Sequence, residues 1–119
     1  IMILLLLTLF FTHWVGDFLL QSDTMALNKS KSLYWLFVHV FIYSGCFFIS
    51  TLFFFKIEIV IYFFLITFVS HFITDFITSR ITSHLYVKGD RHNFFVVIGL
   101  DQFLHTTQLL LTFYYLLIC

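Results

Sequence analysis

Proline is absent from the 119 residues and glycine occurs only four times, so the chain has few of the residues that end or kink helices. Charge is scarce too: Lys, Arg, Asp and Glu make up 10% and cancel to a formal net charge of zero, which argues against any nucleic-acid partner. The two cysteines, Cys46 inside an apolar run and Cys119 at the far end, differ in depth and imply no disulfide.

Apolar residues account for 61% of the chain and the mean hydropathy is +1.04, values that a water-soluble domain of this size does not tolerate. Runs such as YFFLITFV do not alternate, which excludes an outer-membrane barrel. Segments of about 20 apolar residues cross a bilayer as helices, and four are expected, roughly over 1–20, 33–55, 57–78 and 94–118. The expected fold is therefore all-α: a polytopic membrane protein built as an antiparallel four-transmembrane-helix bundle, one domain over 1–119 with no soluble domain. The first segment lacks a basic start and a small-residue cleavage site, so it is expected to be a retained span rather than a cleaved signal peptide.

QSDTMALNKSKS and SRITSHLYVKGDRHN are expected as polar linkers, with Ser22, Asp23 and Gly89 supplying cap or turn chemistry. Lys29, Lys31, Arg80, Lys88 and Arg91 lie in these two linkers, and only Lys56 lies on the other side. The positive-inside rule then makes the longer linkers cytoplasmic and both termini external. Trp35, Tyr62, Tyr114 and Tyr115 fall near span ends, where aromatic belts form. Abundant Phe, Ile and Leu fit an AT-rich genome of bacterial or phage origin, and hence the bacterial cytoplasmic (inner) membrane.

Each span is interrupted by ionisable residues: His13 and Asp17, then His39, then His71 and Asp75, then Asp101 and His105. Three of these sets repeat a four-residue spacing, just over one turn, so both members project from one helix face. At 1.5 Å rise per residue, Asp17 and Asp75 lie about 5 Å from the cytoplasmic helix ends, His13, His39, His71 and Asp101 about 9 to 11 Å, and His105 about 17 Å. An antiparallel bundle gathers them into one layer. Gly16 and Gly99 fall at similar depth and are expected to let the first and fourth helices approach.

An Asp near the middle of a transmembrane helix costs about 2.5 to 3.5 kcal/mol on insertion scales. Protonation with hydrogen bonding, Asp–His ion pairing or a bound metal ion would offset it. The nitrogen-rich donor set suits a divalent transition metal, Zn above all, with Mn or Fe also compatible. A two-metal site would use all seven residues, with Gln21 and Gln102 orienting the ligands from behind. The alternatives are a small transporter or proton channel, and a non-enzymatic phage or bacterial membrane interaction protein with a structural polar core.

HWVGDFLLQSDTMALNKSK, LFVHVFIYS, VSHFITDFITS and GLDQFLHTTQLLL resemble a family of small bacterial and phage membrane proteins, domain-of-unknown-function type 3307. That family reads HxxxDFLLQ, a lone His in helix two, HxxxD in helix three and DQxxH in helix four. The resemblance implies a membrane protein without implying an activity. More loosely, HxxxD pairs resemble those of membrane-bound metal-dependent hydrolases, and the His/Asp set with nearby Ser70 is similar to intramembrane zinc amidases and lipid receptors.

A catalytic metal would lower the pKa of bound water, and Asp17 or Asp75 near the mouth would act as general base in hydrolysis. At that depth the substrate is expected to be a lipid or lipid-linked molecule, with Arg80, Lys31 and Arg91 as phosphate contacts at the entrance or simply as topology signals. Ser70 is read as a packing residue, because neighbouring helix positions diverge by about 100°. His84 and His92 are read as solvated linker residues. The lipid bilayer is the expected partner, and a homo-oligomer or larger membrane complex is compatible with the apolar perimeter.

Overall fold

The computed structural model describes residues 1–117. Cys119 and the expected end of the last helix at residue 118 lie outside the described residues. The elements are α1 (Met2–Trp14), a π-helical turn (Val15–Leu19), α2 (Asp23–Asn28), α3 (Leu33–Thr51), α4 (Ile57–Lys88) and α5 (Arg91–Leu117). No strand occurs among the described residues. Four stretches are long and apolar enough to cross a membrane: α1 continued through the π turn, α3, α4 and α5. They pack as an antiparallel bundle. α4 lies against α5 on one side and α3 on the other, while α1 rests on α3 and touches α5 lightly.

α3 ends at Thr51 where 55 was expected and α5 begins at Arg91 where 94 was expected, and both longer linkers differ from expectation for a local reason. The polar text after Thr78 is not a linker: α4 runs on to Lys88 because no breaker intervenes before Gly89. Gly89 then takes the left-handed conformation, φ 83°, that glycine adopts without steric cost. Its N–H donates to the Tyr86 carbonyl and that of Asp90 to Leu85, both across one αL turn. Asp90 in turn caps α5, accepting from the Asn93 backbone N–H at 3.1 Å and its side-chain amide at 2.8 Å. These bonds hold the Asp90 carboxyl below its ordinary pKa.

The first linker also contains a helix. Ser22 caps α2 by accepting from the Met25 N–H, and Met25 is buried as its apolar anchor. α2 thereby lies across the end of the bundle where α1 and α4 bring their polar residues.

The opposite half is an apolar core in which Leu9, Phe47, Phe63 and Leu109 are almost completely buried. Phe47 and Phe63 stack with centroids 5.9 Å apart. Between helices in lipid such packing acts through close van der Waals contact rather than water release. Phe41, Phe53, Ile73 and Leu111 are exposed on the perimeter, as lipid-facing side chains are.

The expectation for the two glycines is corrected. Gly16 is buried against α3, not α5: a Cβ there would meet Tyr43 Cδ2 at 2.9 Å and Tyr43 Cα at 3.2 Å. Gly99 has nothing within 4 Å of its Cβ position and mediates no approach.

Candidate metal centre

Asp17 reaches the centre from the π turn, where the Leu20 N–H bonds back to the Val15 carbonyl. A π turn widens the helix and re-aims its side chains, and such turns cluster at functional sites. His39 comes from the middle of α3, His71 and Asp75 from one face of α4, and Asp101 and His105 from one face of α5. All six are buried in the bundle.

The donor atoms converge. His39 Nε2 lies 3.0 Å from Asp17 Oδ1 and 3.2 Å from Asp75 Oδ2. His71 Nε2 lies 3.6 and 3.5 Å from the same two oxygens. The two imidazole nitrogens are themselves 3.2 Å apart. Beside them His105 Nε2 stands 3.1 Å from Asp101 Oδ1 and 3.3 Å from Asp75 Oδ1. The ligand-type atoms form two sets, Asp17–His39–His71–Asp75 and Asp17–Asp101–His105, each with its atoms within 4.8 Å of one another. Asp17 belongs to both. Two imidazole nitrogens and two carboxylate oxygens facing one point form a concentration of lone pairs that a positive centre stabilises. This buried His/Asp cluster could hold a metal ion.

His13 belongs to neither set. Its Nε2 lies 2.6 Å from Gln102 Oε1, an atom that only accepts, so Nε2 carries the proton and donates. Nδ1 then accepts from the Tyr43 hydroxyl at 2.7 Å. Both ring nitrogens are engaged, and His13 serves to hold its neighbours. Gln102 continues the chain of bonds, donating from Nε2 to Asp17 Oδ2 and Asp101 Oδ2, each at 3.1 Å. Gln21 makes no such bond, and its buried Oε1 is without a partner.

Three contributors were not singled out by spacing. Tyr43 stacks on His71 with centroids 3.8 Å apart, and His71 stacks on His105 at 3.9 Å, so one imidazole is clamped between two rings. Since Nδ1 of His39 and of His71 has no hydrogen-bond partner, it is this stacking that orients His71. Tyr43 stands four residues after His39, a signal of the same kind as the His–Asp spacing. Thr78 donates to Asp101 Oδ1 at 2.5 Å. Lys29, at the end of α2, places Nζ 2.9 Å from Asp75 Oδ2. Burial works against its charge, but Asp75 and Asp17 outweigh it and raise the ammonium's pKa above its ordinary value.

The other residues weighed for the site stand apart from it. Arg80 folds over its own Phe76 ring, 3.6 Å from the centroid, and bonds the Phe76 carbonyl. Lys31 and Arg91 are exposed, as are His84 and His92. Ser70 faces a separate surface hollow beside Gln108 and Tyr115.

Residues 5–118 match a family described as Protein of unknown function (DUF3307). No curated protein and no solved structure matches the chain.

Proposed function

Taking as premise that the chain belongs to the DUF3307 family, we propose that it is a membrane-embedded metal-binding protein whose centre performs metal-dependent hydrolysis on a lipid or lipid-linked substrate. The observation that carries this reading is the convergence of Asp17, His39, His71 and Asp75, all buried, within 4.8 Å. A mixed imidazole and carboxylate set suits Zn, with Mn or Fe as substitutes. The second set, Asp17, Asp101 and His105, shares Asp17, so the two sets together would hold a pair of ions of the kind that two-metal hydrolases use.

The metal would supply a nucleophilic hydroxide at neutral pH. The chain's own part is to hold a carboxylate free to accept a proton. Asp17 and Asp75 both line the cavity between the centre and α2, so either stands where that base is needed. Asp17, shared between both donor sets, is better read as a ligand. With the Lys- and Arg-bearing end of the bundle on the cytoplasmic side of a bacterial inner membrane, the centre sits just inside that leaflet, at the depth of glycerol and headgroup linkages. The apolar core around Phe47, Phe63 and Leu109 occupies the other half, which favours a site open at one end over a transport path.

A structural polar network is the second reading, favoured by the protein hydrogen bonds that each carboxylate already receives. Metal analysis separates the two. Protein purified in mild detergent is expected to retain at least about one transition-metal ion per chain, and His71→Ala or Asp101→Asn to reduce it. A folded wild-type preparation that neither contains nor takes up zinc would establish the network reading instead.

A further inference from the structure

On the α2 side of the centre lies a cavity of about 410 Å³, bounded inwardly by Asp17, Asp75 and Asp101. Its outer wall is formed by Lys29 and by Ser79 and Ser83 of α4. Ser79 is only 7% exposed, and its Oγ has no hydrogen-bond partner. A buried hydroxyl without a partner loses hydration with nothing in return, so Ser79 stands in the cavity wall with its donor unspent.

Ser83 Oγ accepts from the Ser30 hydroxyl at 3.2 Å, which leaves its own hydrogen free to donate. One turn separates the two serines, so they share a face of α4. Lys29 uses one ammonium hydrogen on Asp75 and keeps two. The outer wall therefore offers donors in a row, the requirement of a group bearing several acceptor oxygens. Phe94 and Ile98 complete the cavity with apolar surface, suited to a hydrocarbon substituent on that group.

Charge sets the condition for binding. Three carboxylates against one ammonium repel an anion, whereas a divalent ion among the carboxylates brings the balance to zero.

We propose that this cavity is a phosphoryl-binding site in which Ser79, Ser83 and Lys29 hold the oxygens of a phosphate ester beside the metal centre; the assignment rests on the metal-binding reading above. Phosphate on a lipid headgroup and phosphate on a free ester share this chemistry.

The test uses the full chain in detergent with zinc affinity measured by calorimetry. Binding of glycerol phosphate and of dihexanoyl phosphatidic acid is then measured separately on zinc-loaded protein. Wild type is expected to bind at least one probe, and which one identifies the source. Ser79→Ala/Ser83→Ala is expected to weaken that binding by about tenfold or more while zinc affinity is unchanged. Zinc binding without either probe, or a double variant that binds the probe as wild type does, overturns the phosphoryl site and leaves the metal reading intact. Should zinc not bind, the metal reading fails, and the phosphoryl site, whose charge balance needs the ion, falls with it.

Discussion

Replacing Gly16 by alanine should loosen the centre through a single methyl group whose nearest contacts all lie in Tyr43. The new Cβ would stand 2.9 Å from Tyr43 Cδ2, whereas ordinary contact begins at 3.4 Å. Tyr43 has little freedom to retreat, because its hydroxyl is bonded to His13 at 2.7 Å and its ring lies on His71 at 3.8 Å. Overpacking of this kind costs about 1 to 3 kcal/mol. Alanine also gains up to about 1 kcal/mol of helix propensity over glycine, which would mask part of the loss. Gly99→Ala supplies the control: the same propensity gain with nothing within 4 Å to strike. The difference between the two variants in reversible unfolding in detergent should therefore be about 1 to 3 kcal/mol, with Gly16→Ala the less stable. Because Asp17 is the next residue, zinc affinity should fall about tenfold or more in Gly16→Ala alone. Equal stability and equal zinc affinity in the two variants would refute the packing argument.

Tyr43→Phe keeps the stacked ring but strips His13 Nδ1 of its donor; unfolding should show a loss of about 1 to 3 kcal/mol, with zinc affinity falling less than in His71→Ala. Thr78→Val preserves shape and removes the donor to Asp101, so calorimetry should show zinc affinity reduced about 10- to 100-fold in a chain that folds normally. Lys29→Met removes a cation that competes for Asp75: the metal-free chain should unfold more easily while zinc binds more tightly, and weaker zinc binding would contradict the competition. At Asp90 the folded carboxyl has the lower pKa, so its capping contribution is complete above the ordinary carboxylate range and is lost as pH falls through the lowered value. Asp90→Ala should therefore speed amide exchange in the first turn of α5 at neutral pH and abolish the acid-dependent part of that exchange.

The four spans and the gathering of polar residues at one end were legible because both follow from simple periodicities: about twenty apolar residues per crossing, and four residues between His and Asp. The end of α4 was not, since ITSHLYVK is polar enough to read as a loop, and helicity there depends on the absence of any breaker before Gly89. Lys29 read as a topology charge because its reach to Asp75 depends on where α2 comes to rest, which is a tertiary fact. His13 shares the ligand spacing, yet the π turn between it and the end of the span gives Asp17 to the centre and leaves His13 facing Tyr43 and Gln102. Spacing identified a common face; it could not say which nitrogen already had a partner.

The modest apolar contact of α1 with the rest of the bundle has a mechanical corollary. Beyond the packing of Leu5 and Leu9 in the apolar core, the N-terminal rod is fastened by the bonds of His13 to Tyr43 and Gln102 and of Asp17 to His39 and Gln102, so much of its anchorage and the chemistry draw on the same atoms. Local opening follows the weakest cooperative unit. Whatever strengthens the centre would also clamp this rod to its neighbours, and whatever strips the centre would let the rod swing outward into the surrounding lipid as a separate piece.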